Sequence, residues 1–476
     1  MTTQTTSRDD LTLGFRTLNE EVVVDSLPLR GELPEWLSGS LLRLTPAGLD
    51  VGGRPLRHWF DGLAMLHRFG FDGGRVSYAN RWLDTEARRD SLEQGRFAGR
   101  GFATDPCRSI FSRITAVFSP EHTDNANVNL VRLGERFIAM TETPMPVEFD
   151  PDTLETLGAR PYDDALTGPV TTAHPHADPV TGELVNYVVQ FGARTAYHVY
   201  TQAAIGGERR LVAKVPVREP AYMHSFAITE NHVVLVEFCL VVNPLRLASG
   251  ASSFIESYRW RPERGTRVTV VDKRTGESRD AGSCEPMFSF HHVNAFERDG
   301  EIVVDLVAYD DASIIDRLFL GELRAGAKGS KVGTVRRLRV PMAGGPIGVE
   351  ELSPERLELP RIDYRRCNGG DYRVVYGAGQ AEEDSFFDQL VKLDVTTGES
   401  TTWRAEGTHP GEPVYVPAPG ATEEDEGVVL SVVLDPAAGR SFLLVLDAGT
   451  FEEQARAEAP HHIPLGFHGS FFGGHA

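Results

Sequence analysis

The sequence predicts an all-β chain of the β-propeller class. Short runs rich in Val, Leu, Ile and Phe, bounded by Gly, Asp, Asn and Pro, recur along it, the pattern of buried strands and tight turns. Long helical periodicity is scarce. A turn built on an Asp, a short polar stretch, then Thr with Gly or Leu and Glu returns again and again. With no Pro/Gly/Ser-rich linker to divide it, the chain of 476 residues reads as a single domain, 1–476.

In chain order the clearest strand runs are LVNYVVQF (184–191), HVVLVEFCLVV (232–242), RVTVVD (267–272), EIVVDLVAY (301–309), GVVLSVVLD (427–435) and SFLLVLD (441–447). The repeated turn occurs around Asp150, Asp178, Asp272, Asp394 and Asp447, each time between strand-like segments, so each copy is a hairpin candidate. Hairpins over the whole length with no helix between them suit a propeller better than a sandwich. Their irregular spacing excludes a WD40 or kelch array. The other reading of D-x-x-T-G-E is simply a common turn. TEEDE at 422–426 reads as an exposed acidic turn.

A formal charge of −20 argues against nucleic acid as a partner, since phosphates demand a basic face, and disfavours electrostatic docking on anionic lipid. The four cysteines, Cys107, Cys239, Cys284 and Cys367, show no metal-ligand spacing and read as inert thiols in a reducing compartment. The first residues lack a basic n-region and an apolar h-region, and no apolar run approaches the ~18 residues that span a bilayer. The expected location is the cytoplasm.

Four of the fifteen histidines stand in apolar or aromatic settings where a solvated imidazole is out of place: His174 in AHPHADP, His224 in YMHSFAIT, His291 in FSFHHVNAF and His468 in GFHGSFF. Three glutamates beside Pro and apolar residues accompany them: Glu142 in TETP, Glu358 in LELPRI and Glu412 in GEPVYVP. Widely spaced neutral imidazoles with matching carboxylates point to a metal centre assembled by the closed fold. The proline in HPH leaves joint ligation by His174 and His176 open. Of the adjacent His291 and His292, strand alternation allows at most one to reach a given metal. His58, His67, His122, His198, His232, His409, His461, His462 and His475 read as structural or surface residues. Imidazole suits iron, copper, nickel and zinc alike, so ligand type alone does not choose the metal.

Taken together, these segments resemble the carotenoid cleavage oxygenase family, and within it the animal-like branch of carotene oxygenases and the retinal pigment epithelium isomerase. The likeness runs from LRLTPAG and HWFDGLAMLHRF near the start, through AHPHADP, YMHSFAITENHVVLVE, FHHVNAFERDGEIVVDLVAYD and EPVYVPAPGATEEDEGVVLSVVLD, to IPLGFHGSFF at the end. The resemblance implies a seven-bladed β-propeller with a helical and loop cap over one axial Fe(2+), held by His174, His224, His291 and His468. Plant-type members carry Lys at the position of His176 and a non-histidine residue at that of His292, which marks His174 and His291 as the ligands. It implies Glu142, Glu358 and Glu412 as carboxylates behind His224, His291 and His468, with His174 left without one.

The activity implied is cleavage of a conjugated carbon–carbon double bond of a carotenoid or apocarotenoid with O2, giving two carbonyl products. The alternatives are a stilbene-cleaving dioxygenase, the specialised isomerase, and a propeller scaffold that has lost catalysis. Stilbene cleavers typically carry Lys directly before the first of the three glutamates, where this chain has Thr141. Family substrates dissolve in bilayers, so peripheral membrane contact is expected through an apolar patch, and FCLVVNPLRL at 238–247 is its candidate. The other reading of that segment is a buried strand followed by a turn at Asn243-Pro244.

Overall fold

Each of the six strand runs forms strand in the computed structural model, which describes residues 11–99, 101–104, 123–162, 164–192, 194–203, 208–249, 252–327, 331–382 and 385–473. Val, Ile, Leu and Phe alternate or run together there because both faces of most strands are buried. Helices are few and short among the described residues. The longest, Glu86–Gln94, starts on a Thr85 side-chain cap and stops at Gly95 in the left-handed region.

The strands form antiparallel sheets in sequence order. One joins Val23–Val24, Arg75–Trp82, Leu63–Asp72, Gly39–Gly48 and the C-terminal Gly469–Gly473, so both ends of the described chain meet in it. The next holds Thr156–Ala159, Val147–Phe149, Arg136–Met140 and Asn129–Leu133. A third has Val170–Thr171 and His176–Ala177 along one edge of Leu184–Gln190, followed by Ala196–Gln202 and Arg210–Pro216. Ala227–Ile228, His232–Glu237, Thr266–Asp272 and Ser278–Cys284 make the fourth.

Seven strands from His292–Arg298 to Ser400–Trp403 follow in strict order. The long strand Gly348–Arg361 divides them: its residues up to Arg356 pair with Thr334–Pro341, and those from Leu357 pair with Val374–Gly379. The last large sheet is built on Gly427–Asp435, Arg440–Asp447 and Glu453–Glu458, and takes back Leu29–Gly31 from near the start.

All five repeated turns are hairpin turns. In each, the Asp Oδ1 accepts the N–H of the residue three positions on, and the Thr Oγ1 accepts the N–H of the residue two further. The residue four after the Asp donates its N–H back to the Asp carbonyl and has positive φ. It is glycine in three copies, Gly182, Gly276 and Gly398, but Leu154 (φ 58°) and Phe451 (φ 63°) in the others. Both of these side chains are buried, Leu154 completely. Burial of about 1.5–3 kcal/mol outweighs the ~1 kcal/mol of left-handed strain.

TEEDE is only partly the exposed turn expected. Glu424 accepts the N–H groups of Arg373 and Val374, and Asp425 pairs with Arg373 and Lys392. No helix among the described residues is long and apolar enough to cross a membrane.

Two substitutions test the turn. Gly182→Ala, with open space around the new Cβ, should cost about 1 kcal/mol from backbone strain alone. Leu154→Gly should cost about 2 kcal/mol because lost burial exceeds the relieved strain. Urea midpoints read both, and a stabilised Leu154→Gly variant would contradict the balance.

Candidate metal centre

The four histidines stand just before edge strands of four different sheets, none of them within a strand. His174 lies between Val170–Thr171 and His176–Ala177, and His224 precedes Ala227–Ile228. His291 immediately precedes His292–Arg298, and His468 precedes Gly469–Gly473. One nitrogen from each of His174, His224, His291 and His468 lies within 4.8 Å of all the others. His174 Nε2 is 3.0 Å from His224 Nε2, and His291 Nε2 is 3.2 Å from His468 Nε2.

The three glutamates stand behind three of these rings. His224 Nδ1 is 2.7 Å from Glu142, His291 Nδ1 is 2.5 Å from Glu358 and His468 Nδ1 is 2.8 Å from Glu412. An ionised carboxylate only accepts, so each Nδ1 carries the proton and each Nε2 turns a bare lone pair inward. Lone pairs about 3 Å apart repel one another unless a cation lies between them. Metal–nitrogen bonds of about 2.1 Å at right angles place neighbouring nitrogens about 3.0 Å apart, as found here. The donor set therefore fits a divalent ion.

The electrostatics keep these donors available. Burial, reinforced by the neighbouring imidazoles, holds His174 well below the usual histidine range. Burial also lowers His468, to about 4, although the Glu412 charge works against it. Glu412 is completely buried, and burial alone would raise its pKa. Arg361, His468 and Arg43 hold it instead at about 2. Its two oxygens take the His468 Nδ1–H and the Gly469 N–H, with Arg43 and Arg361 Nη1 at 3.5 and 3.6 Å. Burial likewise opposes the ionisation of Glu358, but His291, the Leu359 N–H and the Tyr309 hydroxyl prevail and lower its pKa.

The residues judged not to be ligands have other tasks. His176 bonds the Asn368 side chain and the Phe226 carbonyl, and His292 turns away to Ser225. His58 caps the turn at Trp59–Asp61 by accepting the Phe60 N–H and donates to the Ile315 carbonyl. His67 bridges Thr45 and Tyr78, and His232 pairs with Glu297. Cys239, Cys284 and Cys367 are free thiols. Cys107, His122 and His475 lie outside the described residues.

Of the two readings of 238–247, the structure supports the buried strand over the apolar patch. Phe238 to Val242 are buried, and Pro244–Ser249 is a short helix on which Leu245 is exposed. Apolar runs look the same in sequence whether they face lipid or core.

A cavity opens on the imidazoles. Trp59, Phe60, Phe290, Phe386, Phe387 and Phe467 form its aromatic wall, Val128, Ile314, Leu318 and Leu359 add aliphatic surface, and His224, His291 and His468 close it. Sequence reasoning named none of the wall residues. It also missed Tyr222 and Tyr309, whose hydroxyls donate to Glu142 and Glu358 at 2.9 and 3.0 Å. Tyr222 stands two residues before His224, and that spacing was the available signal.

Buried neutral histidines set an acid limit. Burial lowers His58 and His292 to about 3, and His174 and His468 shift the same way. Below about pH 6.5 the unfolded chain therefore binds more protons than the folded one. Stability of the metal-free protein is full above that pH and falls as the pH drops toward 3, by up to ~1.4 kcal/mol per pH unit for each histidine. Urea unfolding at pH 7, 6 and 5 reads this, and a flat profile would contradict it.

A family profile described as retinal pigment epithelial membrane protein matches residues 15–473. The carotenoid isomerooxygenase of Galleria mellonella is 36% identical, covering 95% of this chain and 94% of its own length. The human beta,beta-carotene 15,15'-dioxygenase is 32% identical over 93% of this chain and 91% of its own. Among solved structures, a cobalt-substituted apocarotenoid oxygenase of Synechocystis superposes with a TM-score of 0.87 at 26% identity, covering 98% of this chain and 99% of that one. The strand order, the converging imidazoles and these likenesses agree: the chain belongs to the retinal pigment epithelial membrane protein family, the carotenoid oxygenases.

Proposed function

We propose that this chain is a non-haem iron(II) dioxygenase that cleaves a conjugated carbon–carbon double bond of a carotenoid or apocarotenoid with O2, giving two carbonyl products. The observation that carries the reading is the four-imidazole cluster, three of whose rings, His224, His291 and His468, face an aromatic cavity. His174, His224, His291 and His468 would hold one Fe(2+) per chain, with Glu142, Glu358 and Glu412 fixing three of the rings. Bound iron would supply the activation of dioxygen. Both oxygen atoms enter the products, so no external reductant is required.

The chain's own part is positioning and exclusion. The wall from Trp59 to Phe467 would line the stretch of an apolar chain beside the metal, where close-packed aromatic rings keep bulk water from the reacting bond. Tyr309 is the wall's hydroxyl, and its proton is committed to Glu358. Among the described residues that line the cavity there is no lysine or arginine, and Thr141 stands before Glu142. No cation there would help ionise a phenol, so a hydrocarbon polyene is favoured over a phenolic stilbene.

The same reading takes residues 1–476 as one seven-bladed propeller domain. Counting the two groups of strands that share Gly348–Arg361 separately brings the large sheets to seven, and the joining of Gly39–Gly48 to Gly469–Gly473 is the pairing a closed ring requires. The short helices Trp59–Asp61 and Ser313–Arg317, which supply Trp59, Phe60 and Ile314 to the cavity, act as its cap.

Purified protein should hold about one iron per chain. Replacing any of His174, His224, His291 or His468 by Ala should remove both metal and activity, whereas Ala at His176 or His292 should leave most of the iron. Gln at Glu142, Glu358 or Glu412 should weaken iron retention or turnover about 10–100-fold. Glu412→Gln should also lower stability, because it leaves Arg43 buried without its countercharge. Metal analysis beside wild type decides this, and full activity with stoichiometric zinc would sink the iron assignment.

Incubation under 18O2 with carotenoids, apocarotenoids and stilbenes, with products read by mass, tests the reaction. Label should appear in both carbonyl products of a polyene. Faster cleavage of a phenolic stilbene than of every polyene tried would overturn the substrate class alone.

A further inference from the structure

Two buried hydroxyls outside the cavity connect three of the four histidine segments in series. Thr172, completely buried, accepts the His174 N–H at 3.0 Å and donates to the His224 carbonyl. Ser225, the residue after His224, is 4% exposed and reaches across to the segment that carries His291. It donates to the Phe290 carbonyl at 2.7 Å and accepts the His292 N–H at 2.9 Å. Its remaining lone pair lies 2.8 Å from His292 Nδ1.

A hydroxyl has one proton and two lone pairs, and Ser225 commits all three. Its proton goes to Phe290, so His292 must donate from Nδ1. That leaves His292 Nε2 as a bare acceptor, and it is indeed buried with no partner. One side chain thus grips the residues on both sides of His291 while sitting beside His224 in the chain. The two hydroxyls bridge elements of three sheets, where no ladder hydrogen bond runs between one histidine segment and the next. His468 is held differently, by Arg43 on the Phe467 carbonyl and by Glu412 on the Gly469 N–H.

We infer that Thr172 and Ser225 are positioning residues that set the spacing of His174, His224 and His291 before a metal arrives, and so set metal affinity. This rests on the metal-centre reading above. The carboxylates orient the rings, whereas the hydroxyls fix the backbones that carry them. Neither hydroxyl lines the cavity, so substrate contact is not their task. Without them the sheets are still tied further out, by His176 on the Phe226 carbonyl and by Thr229 and His232 on Glu297, but the hydroxyl bonds that touch the backbones next to His174, His224 and His291 are lost.

The test is titration of the metal-free full-length protein with Co(II), followed by visible absorption, together with far-ultraviolet circular dichroism. Thr172→Val and Ser225→Ala should keep the wild-type circular dichroism, lower Co(II) affinity about 10–100-fold and alter the absorption bands. Thr172→Ser, which restores the hydroxyl, should return affinity to within a few-fold of wild type. Wild-type affinity and spectrum in both hydroxyl-less variants would overturn the inference. So would equal weakness of Thr172→Ser and Thr172→Val, which would assign the effect to side-chain volume, and so would loss of fold in both variants, which would make the hydroxyls props of the fold. Failure of the wild-type protein to bind Co(II) at all would instead overturn the metal centre itself.

Discussion

Three imidazole–carboxylate hydrogen bonds determine what the centre of this protein can do. Because Glu142, Glu358 and Glu412 accept from Nδ1, the Nε2 lone pairs of His224, His291 and His468 have nowhere to point but toward one another. Such an arrangement is repulsive unless a cation occupies it, so the fold must be rigid enough to hold it in place. Taking each histidine from the segment just before an edge strand of a different sheet provides that rigidity.

Charge is balanced unevenly around this centre. Three carboxylates exceed the charge of one divalent ion, and the excess is answered on one side only, where Arg43 and Arg361 flank Glu412. Glu142 and Glu358 have neutral tyrosine hydroxyls as their further partners. The three rings therefore differ in how strongly their carboxylates pull on the Nδ1 proton, and His468 faces the carboxylate most withdrawn by positive charge. Against this polar shell the cavity wall is almost wholly aromatic and aliphatic, which joins an ion of high field to a site where a hydrocarbon is at home.

Local chemistry made much of this legible in the sequence. The five hairpins could be read because an Asp and a Thr build the turn from their own side chains, with no help from distant residues. Strand alternation, a local rule, allowed only one of His291 and His292 as a ligand, and the family likeness, carried by the motifs around all four histidines, marked His291. What escaped was long-range. Arg43, Arg361, Tyr309, Thr172 and Ser225 matter through partners far along the chain, and none has flanking residues that mark it out; Tyr222 had only its spacing from His224. The run at 238–247 left two readings open, since an apolar sequence does not say whether core or solvent faces it, and burial of Phe238 to Val242 favours the strand.

X-ray absorption at the iron edge of the iron-loaded protein tests the central claim most directly. One iron per chain, with four imidazole nitrogens at about 2.1 Å and no carboxylate oxygen from the protein in the first shell, is the result predicted. A shell dominated by carboxylate oxygens, or one with fewer than three imidazoles, would contradict the account.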